Sequence, residues 1–312
     1  YSTDVLHHAR HAKELGLKIP RADVDMKALH ARKKRIIDEF ASYRVKGMTS
    51  GRYTLFREAA RFIDDHTVEL SSGARYTADR FLIATGSRVA TPDLPGLRST
   101  PFWTSDDVLD LDFVPESVIV LGGGIVACEL AQFLRRIGSR VILVQRSPHI
   151  LRDHSPEAST VVQKAFVDDG IELFTHTALS AISGDKRGVR VAFKQGKKTV
   201  EKRARYLFNA LGREPVSDTL GLAQAGVKVS DEGRVVVNRW QQTSTRHIYA
   251  GGDVCGPHDI VHVAVAQGEL AARHGFGVRG LKPIDPSLLL NVVFTDPPLA
   301  TLGWRDDELR EK

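Results

Sequence analysis

Apolar residues in this chain fall in short bursts between glycines, prolines and charges. Residues 118–121, Val-Ile-Val-Leu, form an uninterrupted apolar run, which predicts a strand buried on both faces. Over residues 129–137 the apolar positions Leu130, Phe133, Leu134 and Ile137 recur every three or four residues, which predicts a helix with one buried stripe. Gly138 ends it, and residues 140–144 read as a second strand. Strand, turn, helix and strand follow one another within about 30 residues, the length of a βαβ unit.

The flanks carry weaker patterns. Residues 1–47 read as mostly helical. Thr3 or Asp4 would cap a first helix reaching Leu15, which Gly16 stops. Asp25 would cap a second, with Leu29, Ile36, Ile37 and Phe40 on its inner face. Its outer face carries Lys27, Arg32, Lys33, Lys34 and Arg35, a solvated charge run. Residues 61–63, 67–70 and 81–84 read as short strands, the last running into Thr85-Gly86. Ser105 would cap a short helix, and Pro115 marks the entry to the central unit. Residues 155–169 read as a helix, 171–174 as a strand, and 189–193 with 199–201 as a hairpin. Residues 206–213 form a strand ending in Gly212-Arg213, which completes a compact nucleotide domain over roughly 114–238. Residues 247–250 form another strand, ending at Gly251-Gly252-Asp253, and 262–274 a helix of small residues.

Composition narrows the class. The 312 residues, 42% hydrophobic and 26% charged, are ordinary for a globular protein of two domains. The net charge of +6 suits an anionic substrate or cofactor, but no basic run carries interleaved aromatics, which argues against nucleic acid. No apolar run approaches the length of a membrane span. Cys128 and Cys255 are the only cysteines and belong to no metal-spaced set; with no secretory signal they point to the cytoplasm. Cys128 sits in the first helical turn, where the dipole would lower its pKa, but a small buried packing thiol is the simpler reading. His7, His8 and His11 lack a further nearby ligand, so no metal site is expected there. The first residue is Tyr1, not Met, which suggests a chain with a missing beginning.

The turn after residue 121 carries candidate chemistry. Gly122, Gly124 and Ala127 have the spacing G-x-G-x-x-A. Gly122 permits a tight turn, Gly124 lets the backbone approach a pyrophosphate, and Ala127 keeps helix and strand close. The helix N-terminus offers free N–H groups to the phosphates. At the end of the second strand an NAD-selective unit usually has Asp or Glu. Here the residue is Gln145, followed by Arg146 and, six residues on, Arg152. Two guanidiniums beside a neutral side chain suit a 2′-phosphate, which favours NADPH. The alternative is that both arginines are solvated and Gln145 hydrogen-bonds the ribose of NADH. Asp253, beyond Gly252 at a strand's carboxyl end, is placed to bind a ribose or ribityl hydroxyl, although Gly-Asp is also an ordinary turn.

Taken together, five segments resemble the pyridine nucleotide–disulfide oxidoreductases, flavoproteins with two dinucleotide sites. They are Ile83-Ala-Thr-Gly-Ser87, residues 122–129, Ala210-Leu-Gly-Arg213, Ile248-Tyr-Ala-Gly-Gly-Asp253 and Val293-Phe-Thr-Asp-Pro297, in the family's order. The resemblance implies an α/β fold of two Rossmann-like, three-layer domains, one inserted in the other, plus the start of an α+β dimerisation domain. Residues 1–113 and 241–282 would form a split FAD-binding domain, 114–240 the NAD(P)-binding domain, and 283–312 the truncated dimerisation domain. It also implies FAD and NADPH as cofactors, NADH being the weaker candidate, and a homodimer in the full-length protein.

By the same resemblance Asp253 and Gly252 would hold the ribityl chain of FAD, with Thr85 and Gly86 near it at the domain junction. Gly212 and Arg213 would face the nicotinamide side. Glu129 looks like the acidic partner of a lysine that follows the redox disulfide in relatives. Arg146 and Arg152 match the arginine pair of NADPH-using members. Two departures stand out: Arg213-Glu-Pro-Val216 where many relatives read Arg-x-Pro-Asn, and Ile125 where some carry a gating Tyr. Pro101-Phe-Trp-Thr-Ser105 and residues 130–138 look most like mercuric reductases, with dihydrolipoyl dehydrogenase next. The family's N-terminal G-x-G-x-x-G, its C-x-x-x-x-C pair and its C-terminal His–Glu pair do not occur here. The expectation is an internal piece of a reductase that passes hydride from NADPH to FAD and on to a disulfide or metal ion, inactive by itself. The rival readings are a flavin NAD(P)H oxidase or transhydrogenase, and a non-catalytic nucleotide-binding module.

Overall fold

The computed structural model describes residues 1–303; residues 304–312, the end of the segment expected to begin a dimerisation domain, lie outside the described residues. The chain opens with helix α1 (Ser2–Arg10), a 3-10 turn (Ala12–Leu15) and the long helix α2 (Met26–Met48). The first helix was expected to run unbroken to Leu15 from a Thr3 or Asp4 cap. It starts after Tyr1 instead and breaks at His11, while Gly16 closes the 3-10 turn in the left-handed conformation, φ 75°. Asp4 is diverted from capping to an ion pair with Arg136. Asp25 does cap α2, its Oδ1 accepting from the Ala28 N–H.

The inner face expected for α2 holds only at its start. Met26 is buried and Leu29 and Ile36 are half-buried, but Ile37 and Phe40 are 52% and 73% exposed. Lys33, expected on the solvated face, donates to the Leu109 carbonyl and pairs with Asp110, and His30 reaches the same carboxylate.

Next come β1 (Ala60–Phe62), β2 (Thr67–Leu70) and β3 (Arg75–Thr77), an antiparallel three-stranded sheet. Strand β4 (Phe81–Ile83), strand β5 (Ser87–Val89) and helix α3 (Ser105–Leu109) follow. Thr104 rather than Ser105 caps α3: its N–H donates to Asp107, and Asp107 in turn accepts from the Thr104 hydroxyl.

The centre of the chain contains β6 (Ser117–Leu121), α4 (Ile125–Ile137), β7 (Arg140–Val144), α5 (Pro156–Asp168) and β8 (Glu172–Phe174). It continues through β9 (Thr177–Asp185), β10 (Gly188–Gln195), β11 (Lys198–Ala204), β12 (Tyr206–Asn209) and β13 (Arg213–Pro215). Strands β12, β6, β7 and β8 form a parallel sheet in that order. The run at 118–121 is apolar throughout because its two faces meet different layers. Val118 and Val120 pack with α4 and α5 residues such as Leu134 and Phe166. Ile119 and Leu121 pack with Val191 and Phe193 of the antiparallel sheet β9–β10–β11. The expected hairpin is therefore two strands of a three-stranded layer, whose first strand, β9, the sequence pattern did not reveal.

The last described elements are β14 (Ile248–Ala250), α6 (Val261–Gly275), β15 (Leu290–Val293) and β16 (Leu299–Leu302). Strand β14 pairs in parallel with β4 across more than 160 residues of sequence, over a core that includes Phe62, Ile83, Ile248 and Val254. The short pair β5–β13 then joins this unit to the central one.

Candidate functional site

A cleft of about 520 Å³ opens at the carboxyl ends of the parallel strands β6 and β7. Gly122, Gly124, Gln145, Arg146, Arg152 and Gly212 all line it, so the fold brings together residues spread over 90 positions. Gly122 turns the chain at φ 108°, and a Cβ there would lie 2.3 Å from the Ala210 carbonyl oxygen. Gly124 is the N-cap of α4 in extended conformation, and the space where its Cβ would be is open. The first backbone N–H groups of α4 have no acceptor within the helix and face this end of the sheet. A pyrophosphate fits that cradle. Ala127 is buried against the core, as the fingerprint requires for close packing of helix and strand.

Gln145 is almost wholly buried. Its Oε1 accepts from the Arg146 N–H at 3.1 Å and its Nε2 donates to the His149 carbonyl at 3.4 Å. Arg146 is exposed and forms no ion pair among the described residues. Arg152 is 58% exposed and lies 3.5 Å from its neighbour Asp153.

A second cluster lies where β5 meets β13. Arg213 Nε donates to the Ser87 hydroxyl at 2.7 Å, and its Nη2 donates to the Ser87 carbonyl at 2.7 Å. The Ser87 hydroxyl donates in turn to Asp253 Oδ2 at 2.6 Å. Thr85 Oγ1 donates to the Val216 carbonyl, and the Val216 N–H to the Gly86 carbonyl, so residues 85–87 are fixed to the strand that carries Arg213. The Gly252 N–H is held by the buried side chain of Gln267. Asp253 Oδ1 accepts no hydrogen bond among the described residues, which leaves it open to a ligand hydroxyl.

The comparisons with known proteins agree with this geometry. The family described as pyridine nucleotide-disulphide oxidoreductase matches residues 2–268. The chain belongs to that family. It is 33% identical over 312 residues to a mercuric reductase of Bacillus cereus, covering 99% of this chain and 49% of that enzyme. It is 29% identical over 316 residues to the dihydrolipoyl dehydrogenase of Bacillus subtilis, covering 99% of this chain and 68% of that one. In fold it matches the HOCl-induced flavoprotein disulfide reductase RclA from Escherichia coli with a TM-score of 0.84 at 22% identity, covering 99% of this chain and 68% of that one. The chain spans about half the length of the mercuric reductases it matches.

For a pyridine nucleotide-disulphide oxidoreductase, two further placements matter. Glu129, on α4, is half-buried, and its Oε1 accepts from the Phe294 N–H at 2.8 Å. The carboxylate expected to pair with a lysine thus already has one oxygen engaged by the segment that follows β15. Both cysteines are buried. Cys128 is fully buried, and burial pushes its thiol far above the ordinary range. Burial also pushes Cys255 up, to about 11. The dipole reading of Cys128 yields to desolvation.

Sequence reasoning missed Ser87. It ends the motif Ile83-Ala-Thr-Gly-Ser87, yet nothing local shows that its hydroxyl bridges Arg213 and Asp253, which stand 126 and 166 residues away. No helix among the described residues is long and apolar enough to cross a membrane.

Proposed function

We propose that this chain is the nucleotide-binding part of an FAD-dependent NAD(P)H oxidoreductase of the disulfide-reductase type. The observation that carries the reading is the meeting of Arg213 and Asp253 at Ser87, on the seam between the two parallel-strand units. In this reading residues 1–113 with 241–282 hold FAD, 114–240 hold the pyridine nucleotide, and 283–312 begin a dimerisation domain. Asp253 takes a ribityl hydroxyl, with Gly252, Thr85 and Gly86 beside it. Gly122, Gly124 and Ala127 admit the pyrophosphate, and Gly212 and Arg213 face the nicotinamide.

The nucleotide is NADPH. A carboxylate after β7 would repel a 2′-phosphate, whereas Gln145 is neutral and its amide is engaged by the Arg146 N–H and the His149 carbonyl at the cleft wall. Arg146 is exposed at the rim and forms no ion pair among the described residues, and Arg152 lines the same cleft. Bound together, the two cofactors supply two-electron transfer from the nicotinamide toward a disulfide or metal-ion acceptor. The relatives named mercuric reductase and dihydrolipoyl dehydrogenase support that acceptor class. Glu129 supports the redox centre of the whole protein, which works as a homodimer in the cytoplasm.

The test is an anaerobic titration of the full-length protein with NADPH and, separately, NADH, followed by visible spectroscopy. A long-wavelength thiolate–flavin charge-transfer band after two electrons is expected. Flavin bleaching without that band would favour an oxidase or transhydrogenase. Equal reduction by NADH would overturn the roles of Arg146 and Arg152.

A further inference from the structure

Ser87 has one hydroxyl proton, and its direction is fixed by its neighbours. A guanidinium only donates and a carboxylate only accepts. Arg213 Nε therefore donates to Ser87 Oγ, and Ser87 must give its own proton to Asp253 Oδ2. The two outer residues each keep one functional atom unused among the described residues: Nη1 of Arg213 and Oδ1 of Asp253. Each is thus half held by Ser87 and half open to a ligand. The backbone around the hydroxyl is held by strand pairing. Ser87 sits opposite Pro215 in the β5–β13 pair, and the next residue, Arg88, is clamped by Glu214 and Asp218.

We propose that the Ser87 hydroxyl is a positioning group that couples the two cofactor sites, setting the Asp253 carboxylate for FAD according to the state of Arg213 on the pyridine nucleotide side. This inference rests on the functional reading above. A charged donor on Ser87 Oγ polarises the O–H and strengthens its bond to Asp253. A nucleotide that draws Arg213 toward itself weakens that polarisation, and by linkage FAD alters nucleotide affinity by the same factor. Direct attraction between Arg213 and Asp253 is a poor substitute, because the arginine is exposed and water screens it.

The experiment is a double-mutant cycle on the full-length protein, reading the FAD dissociation constant by fluorescence of the released flavin. Arg213→Met lies on the nucleotide side, so a change in FAD affinity reports coupling. With Ser87 present, Arg213→Met is expected to weaken FAD binding several-fold, up to roughly tenfold, the scale of one hydrogen bond to a charged group. In the Ser87→Ala background the same substitution is expected to change it less than about twofold. Ser87→Thr keeps the hydroxyl and is expected to restore the full effect. If Arg213→Met weakens FAD equally in both backgrounds, or in neither, the coupling through Ser87 is wrong. If the unsubstituted protein takes up no FAD at all, the functional reading falls and takes this inference with it.

Discussion

Arg136 Nη2 lies 2.6 Å from the carboxylate of Asp296, a residue 160 positions further along the chain. The same guanidinium, 5% exposed, holds Asp4 at 2.7 Å and Asp169 at 3.4 Å. One buried cation on α4 therefore ties the first helix, the loop after α5 and the segment beyond β15 to the central domain. Gln132, one turn earlier, adds a reciprocal pair of hydrogen bonds to the Asp296 backbone.

Removing one partner of a buried ion pair leaves the other charge uncompensated. Asp169 is the least exposed of the three carboxylates at 12%, while Asp4 and Asp296 are 48% and 38% exposed. Arg136→Ala is therefore expected at the low end of the usual cost, about 3 kcal/mol. Urea unfolding of this chain measures it, and a loss below about 1 kcal/mol would contradict the role given to the cluster.

The cluster also fixes how stability depends on pH. The guanidinium of Arg136 donates to Asp296 and holds its carboxyl below the ordinary value. That contribution is complete above about pH 3.9, the unfolded value, and is lost as pH falls through the lowered one. Burial, helped by Arg136, lowers His7, so its neutral form is the stable one. Its contribution is complete above about pH 6.5 and is lost as pH falls below that. Melting temperature should thus decline in two stages on acidification, and His7→Gln should flatten the first. A first stage unchanged by His7→Gln would assign it to another group.

Gly122 and Gly124 should separate fold from binding. Gly122→Ala places a methyl 2.3 Å from a backbone oxygen at φ 108°, and should destabilise by about 1–3 kcal/mol or more. Gly124→Ala meets no atom and keeps an ordinary φ of −77°. It should leave the melting temperature nearly unchanged yet abolish measurable NADP⁺ binding by calorimetry, because the methyl fills the phosphate cradle. Full binding by that variant would move the pyrophosphate elsewhere.

Nucleotide choice should follow the arginines. Arg146→Ala is expected to raise KM for NADPH about tenfold, with Arg152→Ala adding to it, while KM for NADH barely moves. A parallel rise for both nucleotides would mean that the arginines act on the shared part of the cofactor.

The two thiols should be silent. Cys128 and Cys255 are buried, with their thiols pushed up by desolvation. In the native 312-residue chain at pH 8, iodoacetamide should label neither over hours, and both should label in denaturant. Rapid native labelling at Cys128 would reinstate activation by the helix dipole.

Where a segment's neighbours in space are also its neighbours in sequence, the sequence by itself determined the structure. The apolar run at 118–121, the 3–4 periodicity of 130–137 and the glycines between them gave the strand, the helix and the turn within a few residues, because βαβ packing is local and glycine at φ 108° has no substitute. The same locality placed Arg146 and Arg152 in one cleft with the Gly122–Gly124 turn. Tertiary structure decided whatever depended on long-range pairing. Ile37 and Phe40 look like core on a helical wheel, but no described element covers that end of α2. Strand β9 carries no clean alternation, and its pairing with β10 alone makes it a strand. Ser87 bridges two residues more than 120 positions away, and the engagement of Glu129 by Phe294 spans 165. A hydroxyl or carboxylate shows its chemical capacity in the sequence, but the partner that uses that capacity is chosen only when the sheets close and the distant backbone arrives within hydrogen-bond reach.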